Sequence, residues 1–376
     1  MNENLSLHKI FGPLSGLYQI VTDTRNKCFD CGILKSKRFD IPVISIGNLA
    51  ACGTGKTPHT EYLIRLLNQH MKVAVLSRGY KRKTKGFVLA SDKSETTQIG
   101  DEPYQMHRKF PNTTIAVDES RCEGIEQLLT IKSPQIEVVL LDDAFQHRYV
   151  KPGLSILLTD YHRLFSNDRI LPVGMLRESK QGKSRAQIVI VTKCPHNIKP
   201  IECNIIKQNL KLFPYQHLFF STFQYKNLRA VFPEATSKKE LQLTTLTSED
   251  EILLVTGIAS PAPMIEELRK YTSHIKLLRF PDHHQFTKKD VEEIEKQYQQ
   301  LKNKNTSLII TTEKDAVRLK NLPSLNQTLK SNIYELPIEV AFLQEKQQEF
   351  NILITDYVRK NQRNSSIPPS EDAHKP

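Results

Sequence analysis

The run Ala50-Ala51-Cys52-Gly53-Thr54-Gly55-Lys56-Thr57 carries an intact Gly-Lys-Thr, with alanine where the strict phosphate-loop pattern begins with glycine. Such a loop, set between a strand and a helix, turns its backbone N–H groups and the helix N-terminus toward phosphates. Lys56 then reaches the β- and γ-phosphates, and the Thr57 hydroxyl ligates magnesium. Leu140-Leu141-Asp142-Asp143 supplies the matching acids. An apolar strand ending in a carboxylate beside a phosphate loop holds the Mg²⁺ shell, so Asp142 and Asp143 join Thr57 as candidate metal ligands. Val191-Thr192-Lys193-Cys194-Pro195 stands where guanine-specific folds place Thr-Lys-x-Asp. Pro195 in place of that carboxylate favours ATP over GTP.

These residues need a parallel sheet to position them, and the chain supplies its pattern. Apolar strands are expected at Pro42–Asn48, Lys72–Ser77, Thr114–Val117, Ile136–Leu141, Leu154–Leu158 and Gln187–Val191, with helices near 58–70, 102–110 and 121–131 between them. That rhythm predicts a sheet covered by helices on both faces. Six of the 14 glycines lie between residues 47 and 100, which marks that window for close backbone approach to a ligand. After about residue 223 the pattern turns polar. It restarts with strands at Glu251–Val255, His274–Phe280, Ser307–Thr311 and Asn332–Leu336 and helices near 263–271 and 288–301, a second and smaller α/β unit.

At 376 residues the chain has room for two domains. Its 53 basic and 41 acidic residues give a net charge of +12, which suits an anionic substrate, membrane surface or nucleic acid. No tryptophan and 7% aromatic residues weaken a base-stacking reader, and no nucleic-acid signature is present. The six scattered cysteines suit a reducing cytoplasm, and the lone Cys28-x-x-Cys31 lacks the second pair a zinc site needs. No stretch reaches the roughly 18 apolar residues of a membrane span, and no cleaved secretory signal is expected. Phe11, Leu14, Leu17, Tyr18 and Val21 recur at helical spacing, with Pro13 placed in the first turn and basic residues following. They form either a helix packed on its own domain or an interfacial anchor on an anionic membrane.

Beyond the loop and its acids, an ordered set of motifs runs through the chain: Ser77-Arg78-Gly79-Tyr80, Gly100-Asp101-Glu102-Pro103, Asp142-Asp143-Ala144-Phe145-Gln146-His147, Leu176-Arg177-Glu178, Val255-Thr256-Gly257-Ile258, Pro281-Asp282-His283-His284 and Thr312-Glu313-Lys314-Asp315. In this order they resemble the tetraacyldisaccharide 4′-kinase family, the lipid A 4′-kinases, over roughly residues 10–355. Cys52 stands where the family has glycine, and Ala144-Phe145 replaces its commoner Gly-Leu. The resemblance implies ATP and Mg²⁺ as cofactors and phosphorylation of the 4′-hydroxyl of a tetraacyl glucosamine disaccharide 1-phosphate. It implies Asp101 as the base, paired with His283 or His284, His283 preferred. Those histidines read otherwise as a loop pair or a metal site. Arg177 and Arg121 are implied near the reacting phosphates or substrate, and Arg78, Gln146 and His147 complete the substrate-binding candidates.

The fold expected is a P-loop NTPase-like α/β/α sandwich with a second, smaller α/β/α domain. The divisions are a membrane-associating segment over 1–38, the kinase domain over 39–228, the smaller domain over 229–358 and a disordered tail over 359–376. The expected partners are the acylated lipid and the anionic inner face of the inner membrane, reached peripherally from the cytoplasm, with no nucleic acid and no obligate protein partner. A P-loop NTPase driving assembly or transport is the competing enzyme, and a nucleotide-dependent nucleic-acid binder the competing non-enzyme.

Overall fold

A computed structural model describes residues 3–51, 53–282, 284–301, 307–320, 322 and 325–365. Helix α1 (Glu3–Asp30) precedes β1 (Val43–Asn48), α2 (Lys56–Leu67), β2 (Val73–Ser77) and β3 (Val88–Leu89). Next come α3 (Thr96–Ile99), α4 (Asp101–Lys109), β4 (Thr114–Val117), α5 (Arg121–Leu129), β5 (Val138–Asp142) and β6 (Leu154–Asp160). The chain continues through β7 (Ile188–Thr192), α6 (Pro200–Leu210), β8 (His217–Tyr225), β9 (Leu228–Ala230), β10 (Glu240–Leu241), β11 (Ile252–Thr256) and α7 (Ala262–Leu268). It ends with β12 (Ile275–Arg279), α8 (Lys288–Gln299), β13 (Leu308–Thr312), α9 (Glu313–Lys320), α10 (Gln327–Asn332), β14 (Ile333–Leu336), β15 (Ile338–Phe342) and α11 (Gln347–Ser365).

Two compact units result. The first comprises Met1–Lys93, Met106–Phe223 and Val340–Pro376, the second Ser94–Gln105 and Gln224–Glu339. The first holds a nine-stranded sheet in the order β15-β8-β7-β6-β1-β5-β2-β4-β3. β1 lies between β5 and β6, parallel to both. Its strands are apolar on both faces because helices cover both: Ile44, Ile46, Val75 and Leu140 enter one core, while Val43, Ala74 and Leu141 enter another. In the second unit the order is β10-β9-β14-β13-β11-β12, with β9 and β10 antiparallel additions to a parallel set. Leu253 and Val255 alternate there with Ile252 and Leu254 between two cores. The architecture is the P-loop-type α/β/α arrangement with a smaller α/β companion.

Several boundaries differ from expectation, among them the passage from the first unit to the second, after Phe223 instead of 228. Residues 340–358 belong to the first unit, because β15 adds to its sheet and α11 buries Phe350, Ile354 and Val358 in its core. The tail expected from 359 is helical as far as Ser365, and 366–376 lie outside the described residues. Segment Ser94–Gln105, which carries Asp101, groups with the second unit instead of the first. At the other end α1 starts at Glu3, so Pro13 sits inside the helix and not in its first turn.

Candidate active site

The phosphate loop leaves β1 at its C-terminal end and enters α2 at Lys56. Gly55 caps that helix with φ of 83°, a left-handed geometry that costs glycine nothing. The loop is held by its carbonyls: Thr192 Oγ1 donates to Thr54 O at 2.9 Å, and His59 Nδ1 lies 2.7 Å from Gly55 O. Ala51 N donates to Met175 O at 2.7 Å, and Ala50 bridges to Leu176. Cys52 lies outside the described residues. Gly53 is exposed and Thr57 half-buried.

β5 delivers the acids next to this loop because it pairs with β1, Ile46 opposite Asp142. Gly47 permits the close approach, since a Cβ there would stand 2.6 Å from Phe145 Cβ. Asp142 is 1% exposed and accepts Thr60 Oγ1 at 3.0 Å and Ser77 Oγ at 3.3 Å. Asp143 adopts a φ of 45° and turns toward two cations, Lys56 Nζ at 3.6 Å and Arg177 Nη1 at 3.3 Å. Thr57, Asp142 and Asp143 offer hard oxygen donors. Mg²⁺ beside a phosphate loop needs only one or two carboxylates, since substrate phosphates and water complete its shell, so the donor set fits that ion.

A polar layer backs these groups. Gln146 Nε2 donates to Asn48 O at 2.7 Å and to Glu178 Oε1 at 3.0 Å, and Arg177 Nη1 lies 3.5 Å from its Oε1. Glu178 is 3% exposed and receives both Arg185 Nη2 bonds, at 2.7 and 2.8 Å, together with Asn26 Nδ2 at 2.9 Å. Arg121 is buried, donating to Asp118 O at 2.8 Å and toward Asp142 O at 3.4 Å. Burial lowers its pKa to about 10 despite Asp142 and Asp143 nearby. The arrangement places Arg121 inside the domain, bracing the carbonyl of a metal-ligand candidate, with almost no surface left for a ligand. His147 is lowered to about 4 by burial and then by Arg121, Arg25 and Arg78. Arg78 is exposed.

The second unit gathers a separate cluster. Asp101 opens α4 directly after Gly100, and its Oδ2 accepts Arg318 Nε at 2.9 Å and Nη2 at 2.7 Å. Arg318 Nη1 donates to Asp315 Oδ1 at 3.1 Å. Asp315 Oδ2 takes Gly257 N at 2.9 Å and Thr312 Oγ1 at 2.8 Å. Three of the motifs, Gly-Asp-Glu-Pro, Val-Thr-Gly-Ile and Thr-Glu-Lys-Asp, thus meet in space. His284 does not join Asp101: it bonds Asp290 Oδ2 at 3.0 Å and stacks on Phe280 at 4.9 Å. His283 lies outside the described residues. Sequence reasoning missed Arg318, since a charged residue three places beyond the last motif carries no local sign of burial, and it missed His59.

His59 yields a pH prediction. Gly55 O can only accept, so Nδ1 carries the proton, leaving Nε2 to accept from Ser221 Oγ at 3.0 Å. At 3% exposure the ring is held neutral, its pKa lowered by burial to about 4. The unfolded chain protonates this histidine near pH 6.5 and the folded one does not, so stability falls as pH drops between those values. The change is about 3 kcal/mol between pH 7 and 4. Denaturant unfolding of wild type and His59→Gln should show wild type losing that much relative to the variant. A difference constant with pH counts against it.

A family model for LpxK, described as tetraacyldisaccharide-1-P 4′-kinase, matches residues 7–359. A tetraacyldisaccharide 4′-kinase of Bacteroides thetaiotaomicron is 60% identical over 375 residues, 98% of each chain. One from Bacteroides fragilis is 58% identical over 376 residues, 100% of each. The crystal structure of LpxK from Aquifex aeolicus in complex with ATP aligns with a TM-score of 0.71 at 28% identity, over 94% of this chain and 99% of that one.

Proposed function

The chain belongs to the tetraacyldisaccharide-1-P 4′-kinase family, and on that premise we propose how its residues divide the work. It is a kinase of lipid A biosynthesis, transferring the γ-phosphoryl group of ATP to the 4′-hydroxyl of the tetraacyl disaccharide 1-phosphate. The reading as an NTPase driving assembly or transport gives way to it. The observation that supports the division best is the phosphate loop between β1 and α2 with Lys56, Asp143 and Arg177 in one contact chain.

In this reading the loop from Ala50 to Thr57 holds the nucleotide phosphates, with Lys56 and Arg177 meeting the charge that shifts during transfer. Thr57, Asp142 and Asp143 would hold Mg²⁺, which when bound would neutralise phosphate charge. Gln146, braced by Glu178, fixes Arg177. Arg78 and His147, with Arg121 and Arg25 behind them, favour an anionic group of the lipid. Asp101 takes the hydroxyl proton, and His283 is its partner.

The lipid's acyl chains require a surface, and α1 fits one. Its polar side is tied down by Ser15 Oγ to Ile170 O at 2.8 Å, Tyr18 OH to Arg177 O at 3.1 Å and Asn26 to Glu178. Leu14, Leu17, Ile20 and Val21 remain 54–64% exposed. Among the described residues no helix is long and apolar enough to cross a membrane. An apolar stripe beside basic residues suits peripheral attachment to an anionic leaflet. The test supplies Mg-ATP with the disaccharide 1-phosphate lipid, once in anionic vesicles and once dispersed in detergent. A new phosphate on the lipid is expected, with ATP consumption dependent on the lipid. Leu14→Glu/Leu17→Glu should lose at least tenfold on vesicles and little in detergent, about 1.4 kcal/mol or more of surface affinity. ATP hydrolysis indifferent to lipid would overturn the kinase assignment, and equal losses in both media would overturn the surface role.

A further inference from the structure

Asp101 is gripped asymmetrically. Both contacts from Arg318 fall on Oδ2, and among the described residues Oδ1 accepts no side-chain hydrogen bond. The Arg318 side chain is 1% exposed and that of Asp101 15%. The guanidinium is itself fixed from behind by Asp315, which is fully buried and receives donors from Gly257, Thr312 and Arg318. α9 thereby orders a fork whose Nε and Nη2 edge faces a carboxylate on α4, 217 residues away in sequence.

A buried ion network is poor evidence for stability, because taking these charges out of water costs about as much as their attraction returns. Its geometric content is the informative part. A planar guanidinium with two N–H groups on one oxygen fixes both the position of a carboxylate and its rotation about the Cβ–Cγ bond. Lysine, a rotatable point charge, cannot do this. The oxygen left open is the one with lone pairs to offer an incoming hydroxyl, since the other already directs its own at a cation.

We propose that Arg318 is the positioning residue of the base: it clamps Asp101 Oδ2 so that Oδ1 accepts the proton of the substrate hydroxyl. This rests on the reading of Asp101 as the base. In the step, the hydroxyl O–H bond breaks and its proton passes to Oδ1. The hydroxyl oxygen bonds the γ-phosphorus, and the bridging P–O bond breaks with its electrons leaving on ADP. The proton on Oδ1 is then released to water. Arg318 exchanges no proton. Its part is to keep Oδ1 aimed, and a misplacement of about 1 Å in such a group costs on the order of 10²-fold.

The experiment compares wild type, Arg318→Lys, Asp101→Asn and Arg318→Lys/Asp101→Asn at saturating Mg-ATP and lipid, with thermal unfolding of each. Arg318→Lys keeps a cation against Asp315 and loses the fork. It is expected to lower kcat by 10- to 100-fold while KM for ATP and for lipid stays within about twofold. In the Asp101→Asn background the same change should cost less than threefold. Wild-type kcat in Arg318→Lys overturns the proposal, and so does a full undiminished loss in the Asp101→Asn background. If Asp101→Asn alone retains wild-type kcat, the reading of the base has failed, whatever Arg318 does. Should Arg318→Lys not fold, Arg318→Gln/Asp315→Asn removes both buried charges together. The same kcat loss with unchanged KM is expected there, and unchanged kcat overturns the clamp.

Discussion

Lys56→Ala should lower kcat by about 10²–10³, roughly 3–4 kcal/mol, as for loss of one preorganised charge-stabilising donor. The expectation follows from position. Lys56 is the first residue of α2, its side chain is 13% exposed, and its ammonium lies 3.6 Å from Asp143 Oδ1. Removing it takes a cation from the point where phosphoryl charge redistributes and leaves Asp143 facing Arg177 alone. Helix α2 should survive, because alanine is a better helix former than lysine and the packing of α2 runs through Leu63, Ile64 and Leu67, about two turns or more further along it. Steady-state rates at saturating lipid, with far-UV circular dichroism as a fold check, decide it. Turnover within threefold of wild type in a folded variant would remove Lys56 from the reaction.

The parts legible in sequence share a physical cause. β1, β2, β5, β6 and β7 are buried on both faces, so each reads as a continuous apolar run without help from its neighbours. Gly-Lys-Thr and the acids after β5 are local signatures of backbone geometry, and the structure sets them beside one another through a single strand pairing. The missed elements depend on distant partners. β15 is half-buried along most of its length and becomes a strand by pairing with β8, more than 100 residues earlier. α11 buries Phe350, Ile354 and Val358 in that unit's core with Leu353 and Tyr357 packed against it, whereas its last turns, from 359, are polar and read as tail.

Charged residues were the least legible. Arg318 and Asp315 are four and zero per cent exposed, yet in sequence they belong to a helix, Glu313–Lys320, as polar as any solvated one. What they do depends on Asp101, which the chain places far upstream and the fold assigns to the same unit. Conversely Arg121 reads as a phosphate ligand by type, whereas the structure buries it with Nη1 and Nη2 turned to backbone carbonyls. Residue type proposes a chemistry, and exposure and partners decide whether a ligand can reach it.

Asp101 offers the second large effect. Asp101→Asn should lower kcat by roughly 10²–10⁴, the range for loss of a positioned general base. Asparagine is the informative choice because Arg318, with a 1% exposed side chain, retains an oxygen acceptor there, whereas alanine leaves a buried cation half-paired. ATP affinity should stay near wild type, since the loop from Ala50 to Thr57 lies in the other compact unit. If affinity falls while the saturating rate holds, Asp101 serves nucleotide or metal instead. His283→Ala gives the complementary measurement. Residues acting as one unit are non-additive, so Asp101→Asn/His283→Ala should lose less than the product of the two single losses. Strict multiplicativity would separate His283 from the base. His284 is a weak replacement, because its Nε2 is already engaged by Asp290 at the start of α8. Arg318 would then remain as the group that holds Asp101 in place.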